Sequence, residues 1–186
     1  MPDARQIVVL VGSLRRESLT RKVARAMISL APPSLALREL DLAPLAMYNQ
    51  DLEEDVPPPW EQFRRDIKEA EGVLFFTPEY NRSVPGVIKN AIDIASRPGG
   101  HGVWNGKPGA VVSVTPFGLG AFGANHHLRQ ALVYVNVLAM AQPEAYIARA
   151  GDLFDQDGKL INDSSREFFR KFMRAFAEWV ERNTPR

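Results

Sequence analysis

A chain of 186 residues has the length that one hydrophobic core fills, so a single domain spanning 1–186 is expected. Lys and Arg total 23 against 22 Asp and Glu, a formal charge of +1, which leaves no electrostatic footprint for nucleic acid. With no Cys there are no disulfides, thiolate metal sites or Cys nucleophile, and Met1 to Gln6 lead straight into a short apolar run; no run is long enough for a bilayer, so a cytoplasmic protein without a membrane partner is expected.

Strand-like and helix-like segments alternate along the chain. Ile7 to Val11 is a continuous apolar run, as in a central parallel strand buried on both faces. Thr20 to Leu30 has helical spacing and Leu35 to Leu42 reads as a second strand. Ala43 to Pro59 carries four prolines and reads as a surface loop. Trp60 to Ala70 follows as a helix, then Gly72 to Thr77 as a third buried strand and Val84 to Ser96 as a helix. Ala110 to Thr115 is a fourth strand, Ala124 to Val135 a helix, Glu144 to Ile147 a short fifth strand, and Ser165 to Arg182 a long closing helix. These alternations predict a doubly wound α/β three-layer sandwich with a five-stranded parallel sheet, order 2-1-3-4-5.

Two loops each leave a strand and enter a helix, where ligands bind beyond the carboxyl ends of adjacent first and third strands. The first, Gly12 to Thr20, brings Ser13, Ser18 and Thr20 hydroxyls and the Arg15 guanidinium to a helix N-terminus, which suits a phosphate; equally, Ser18 is an ordinary helix cap and Arg15 a solvated charge. The second, Thr77 to Gly86, holds Tyr80 and Asn81 between Pro78 and Pro85, which suits a flat polar ring; equally, it is a turn in which Asn tolerates an unusual backbone angle. Taken together the two lips point to FMN.

Gly12-Ser13-Leu14-Arg15 with Ser18, then Pro78-Glu79-Tyr80-Asn81-x-Ser83-Val84-Pro85-Gly86-x-x-Lys89-Asn90-Ala91-Ile92-Asp93, then His127-Leu128-Arg129-Gln130 and Pro143-Glu144, resembles the NADPH-dependent FMN reductase family, within it the quinone, azo and chromate reductase branch. The resemblance implies a flavodoxin-like fold, bound FMN, NAD(P)H as electron donor, and a homodimer or tetramer. By position it implies that Ser13, Arg15, Ser18 and Thr20 hold the phosphate, Thr20 standing where many members have Asn, and that Pro78, Glu79, Tyr80 and Asn81 hold the isoalloxazine. Leu19, Thr115, Gly118 and Gly120 complete the expected cofactor site. Hydride would pass from NAD(P)H through flavin N5 to quinones, flavins or similar acceptors, chromate or azo compounds included, with no protein nucleophile. The alternative is an FMN-binding electron carrier or redox-responsive interaction module without turnover of its own.

Departures from the family concern assembly. Relatives read Gly-Gly-Ala-Arg where this chain has Gly120-Ala121-Phe122-Gly123, and Tyr where it has Arg82 and His126. The usual network between dimers therefore cannot form unchanged, and a pair between Arg82 and Glu144 of a neighbouring subunit is the expected substitute.

Three further patterns have plainer readings. Gly118-Leu119-Gly120-Ala121-Phe122-Gly123 matches G-x-G-x-x-G, but it follows the fourth strand and not the first, so a loop flanking the flavin is expected in place of a dinucleotide fingerprint. His126 and His127 diverge by about 100° on a helix and make no same-face metal pair, and Asp155-Gln156-Asp157-Gly158 puts Leu153 and Ser164 at the terminal ligand positions of a calcium loop, so no metal is expected. The stripe Phe168, Phe169, Phe172, Met173, Phe176, Trp179 and Val180 reads as a core face and not as a membrane or partner face.

Overall fold

The computed structural model describes residues 4–184. Six strands, β1 (Arg5–Val11), β2 (Leu35–Leu40), β3 (Gly72–Thr77), β4 (Pro108–Val114), β5 (Leu138–Ala139) and β6 (Ala145–Ile147), form one parallel sheet in the order β2-β1-β3-β4-β5, with β6 also on β4. Five helices flank it: α1 (Leu19–Ser29), α2 (Pro58–Glu69), α3 (Gly86–Ala95), α4 (Phe122–Tyr134) and α5 (Asp163–Asn183).

The continuous apolar runs arise because both faces of the sheet are covered. Side chains alternate along each strand, so Ile7, Val9 and Val11 join Leu74, Phe76, Ala110 and Val112 beneath α1 and α5, while Val8 and Leu10 join Val73, Phe75 and Val111 beneath α2, α3 and α4. The stripe on α5 is the core face expected of it: Phe169, Phe172, Met173, Phe176 and Val180 are fully buried. No helix among the described residues is long and apolar enough to cross a membrane.

The fifth position of the sheet differs from expectation. The short strand expected over Glu144 to Ile147 is β6, opposite Val112 to Val114, and the structure adds a second short strand, β5, opposite Pro108 and Gly109. The chain leaves the edge of β4 after Ala139 and returns at Ala145, past Pro143, which has no N–H to give a ladder. Start positions move for identifiable reasons too. β1 begins at Arg5 because that residue, 8% exposed, is clamped by Glu71 and Glu181 at 2.6 and 3.0 Å, and α2 begins at Pro58, a position that needs no amide. The Ala43 to Pro59 loop contains a 3-10 turn at Gln50–Glu53 and is fastened to α3 by Asn90, whose amide donates to Leu45 and Ala46 carbonyls at 3.2 and 3.0 Å and accepts from Tyr48 N at 2.7 Å.

β1 sits between β2 and β3, so its crossover to β2 and the later one from β3 to β4 run in opposite directions across the sheet. The two loops singled out in the sequence leave the carboxyl ends of β1 and β3 at this reversal, the position at which an open α/β sheet leaves a crevice.

Candidate functional site

Three loops close around one cavity of about 460 Å³: residues 12–18 after β1, 78–85 after β3 and 115–121 after β4. Ser13, Arg15, Ser18, Leu19 and Thr20 line it from the first lip, Pro78, Glu79, Tyr80 and Asn81 from the second, and Thr115 from the third. Gly118 and Gly120 do not line it. Their neighbours Pro116, Phe117, Leu119 and Ala121 do, together with Val114 and Arg82, and none of these six was among the residues expected to hold a cofactor.

On the first lip, Ser18 caps α1 by accepting from Arg21 N at 3.1 Å, which leaves its O–H proton able to donate elsewhere. Ser13, Ser18 and Thr20 are each 3% exposed, and among the described residues neither the Ser13 nor the Thr20 hydroxyl has a hydrogen-bond partner. Arg15 is exposed and forms no ion pair among those residues. The loop takes its shape from Arg21, whose guanidinium donates to Ser13 O at 3.0 Å and Arg15 O at 3.2 Å while pairing with Glu39 of β2 at 2.9 Å. Nothing in the spacing of the sequence marks Arg21, because Glu39 is brought to it only by the sheet.

The second lip is a two-residue hairpin. Tyr80 and Ser83 exchange both backbone hydrogen bonds at 3.0 Å, and Asn81 and Arg82 both have positive φ, 52° and 63°, as a type I′ turn requires. The Tyr80 amide is thereby spent on Ser83, so of the three amides over Glu79 to Asn81 only those of Glu79 and Asn81 remain without a partner among the described residues. Glu79 turns its carboxylate to the protein: Oε1 accepts from Arg82 at 2.8 Å and Oε2 from Ala124 N at 3.1 Å. It serves as the missing cap of α4, whose own preceding residue Ala121 offers no side-chain hydrogen bond.

The glycine pattern on the third lip is a packing device. A Cβ at Gly120, where φ is +61°, would lie 2.6 Å from Tyr146 Cβ, and one at Gly123 would lie 2.9 Å from Arg82 O and Glu79 Oε2. These glycines let α4 start against β6 and against the hairpin. The loop backbone is held at four points: Thr115 Oγ1 accepts from Phe117 N at 3.2 Å, Phe117 O accepts from Arg149 N, Leu119 O from Phe122 N, and Gly120 O from the Ser113 hydroxyl at 2.6 Å.

His126 and His127 diverge as expected of neighbours on a helix. His127 Nδ1 lies 2.9 Å from Ser83 Oγ, and His126 Nε2 lies 3.0 Å from Tyr146 Oη, which donates to Glu144 at 2.8 Å. With its only proton given to Glu144, the Tyr146 oxygen accepts from His126, so Nε2 carries a proton. Burial first, and then the Glu144 carboxylate, push the Tyr146 phenol up to about 12. Asp155 spends its carboxylate on Asp157 N and Lys159 N at 3.0 and 2.8 Å, an ordinary turn. The acidic partner proposed for a neighbouring subunit is thus engaged within its own chain, and Arg82 is likewise paired with Glu79.

Comparison with known proteins agrees with this geometry. The family model of the NADPH-dependent FMN reductases matches residues 5–152. A quinone reductase of Pseudomonas putida is 53% identical over 184 residues, 98% of each chain. A 2-hydroxy-1,4-benzoquinone reductase of a Burkholderia species is 42% identical over 177 residues, 95% of this chain and 97% of the relative. Among solved structures, FerB, a flavoenzyme NAD(P)H:(acceptor) oxidoreductase of Paracoccus denitrificans, superposes with a TM-score of 0.93 at 38% identity, covering 98% of this chain and all of that one. The expectation of FMN with NAD(P)H as donor agrees with the family description. On this match of sequence and fold, the chain belongs to the NADPH-dependent FMN reductase family of oxidoreductases.

Proposed function

We propose that this chain is an FMN-dependent NAD(P)H:quinone oxidoreductase, in which NAD(P)H and one proton convert a quinone to its quinol. The observation that carries this reading is the convergence of three strand-end loops on one cavity, with the Ser13 and Thr20 hydroxyls, unpartnered among the described residues, beside a helix N-terminus on one side and a rigid, partly aromatic hairpin on the other. That donor set fits a phosphate joined to a flat polar ring. When bound, FMN supplies the two-electron redox chemistry that no side chain here can provide.

The residues of the chain bind and orient. Ser13, Ser18 and Thr20 donate hydroxyl protons to the phosphate, the N-terminus of α1 with Leu19 adds partial positive charge, and Arg15 neutralises it. Arg21 holds the loop carbonyls away, so these donors are preorganised. Pro78, Glu79, Tyr80, Asn81 and Thr115 would flank the ring, and the Glu79 and Asn81 amides, without partners among the described residues, would offer hydrogen-bond donors to its polar edge. Quinones are the proposed acceptors because relatives identical over nearly their whole length at 53% and 42% carry quinone reductase names.

The test is anaerobic. Purified protein should carry visible flavin absorption that bleaches on adding NAD(P)H and returns on adding a benzoquinone. Flavin that does not bleach would favour an electron carrier, and no flavin at all would overturn the reading. We further infer a homodimer as the working assembly, which light scattering on the same preparation tests; a monomer would refute it.

A further inference from the structure

Two large aromatic side chains line the cavity from the adjacent second and third lips and are far from buried: Tyr80 on the hairpin is 46% exposed and Phe117 on the third loop is 76% exposed. Leu119, also on the lining, is 64% exposed. Apolar side chains left in water beside a cavity mark a ligand surface more often than a folding requirement. Phe117 is not exposed because its loop is loose. Its amide is held by Thr115 Oγ1 and its carbonyl by Arg149 N, and Leu119 O and Gly120 O are fixed in the same way. The backbone therefore holds an aromatic ring at the mouth of the site in advance of any ligand, at an ordering cost already met by folding.

We propose that Phe117 is the specificity-determining residue for the electron acceptor, acting with Tyr80 as an aromatic clamp that selects flat aromatic acceptors over compact inorganic ones. This rests on the cavity being the flavin site and names which acceptor class it serves. A planar quinone offers a face for stacking and removes apolar surface from water on both sides, whereas an inorganic oxyanion or complex anion offers neither and gains nothing from Phe117. Because Phe117 is exposed and makes no core contact, its loss does not threaten the fold.

The experiment compares wild type, Phe117→Ala and Phe117→Tyr as FMN-loaded proteins. Oxidised protein is titrated with 1,4-naphthoquinone without NAD(P)H, so that binding is read apart from turnover, and kcat/KM is then measured for naphthoquinone and for ferricyanide. Phe117→Ala should weaken naphthoquinone binding about tenfold and lower its kcat/KM about tenfold more than that for ferricyanide, and Phe117→Tyr should recover most of the loss. Unchanged naphthoquinone binding in Phe117→Ala, or equal losses for both acceptors, would overturn the proposal. So would a loss that appears only with a changed particle size in light scattering, since Phe117 would then be an interface residue. Wild-type protein that takes up no FMN would overturn the cavity reading itself, and the clamp with it.

Discussion

Arg15 and Arg21, six residues apart, divide the first lip of the cavity between them. Arg21 is tied down by Glu39 and by two loop carbonyls, so it shapes the loop; Arg15, exposed and without an ion pair among the described residues, is the cation left for a ligand. Arg15→Ala should weaken FMN binding by about 1.5 to 3 kcal/mol, the range for a hydrogen bond to a charged group, and leave unfolding unaffected. Riboflavin, which has no phosphate, should bind the variant and the wild type alike, and calorimetry with both ligands checks this. Equal losses for the two would move Arg15 off the phosphate.

Helices and loops here depend on single buried side chains that reach between elements. Asn90 on α3, 4% exposed, makes three hydrogen bonds to residues 45–48, and Trp60 of α2 adds an indole bond to Ala46 O at 3.2 Å with its ring stacked 5.5 Å from Tyr48. Beyond its 3-10 turn this long proline-containing loop makes few backbone hydrogen bonds of its own, so its backbone groups need partners elsewhere. Asn90→Ala should cost about 2 to 4 kcal/mol of stability, through the Leu45 carbonyl and Tyr48 amide left unpaired, Ala46 O keeping its indole bond, and a small cavity, and urea unfolding measures it. The Asn90-Ala91-Ile92-Asp93 stretch, prominent in the sequence as part of a family resemblance, is in its first residue a fastening for this loop.

The base of the sheet, opposite the cavity, is closed by charge. Arg5 of β1 joins Glu71 at the entry to β3, Glu181 on the last turn of α5 and the Thr184 carbonyl, so the first strand and the last helix are tied together. Burial alone would raise the Glu71 carboxyl, but hydrogen bonds from Arg5 and from Gln6 N reverse this and hold it below the usual carboxylate range. A carboxyl depressed in the folded state adds stability above its unfolded value of about 4.3 and loses it as pH falls through the folded value. The urea midpoint of Glu71→Gln should therefore lie below that of the wild type at about pH 7 and converge on it at about pH 3. A constant gap across that range would remove Glu71 from the acid response.

The strands were legible because each is a local apolar run: β3 spans Gly72–Thr77 in the structure and in the sequence alike, since both of its faces are covered and every residue must be apolar or small. The two lips were legible because hydroxyls beside a helix start and prolines around an Asn act within a few residues of themselves. β6 was legible too, at the expected Glu144 to Ile147, but β5 was not, because it is two residues long and exists only through pairing with β4. Nor was the part of Glu79, whose carboxylate caps a helix 45 residues further on, or the choice of Phe117 and Leu119 over Gly118 and Gly120 as the lining. Those features are set by which groups the sheet brings within bonding distance, and a linear pattern carries no record of partners that only folding places side by side.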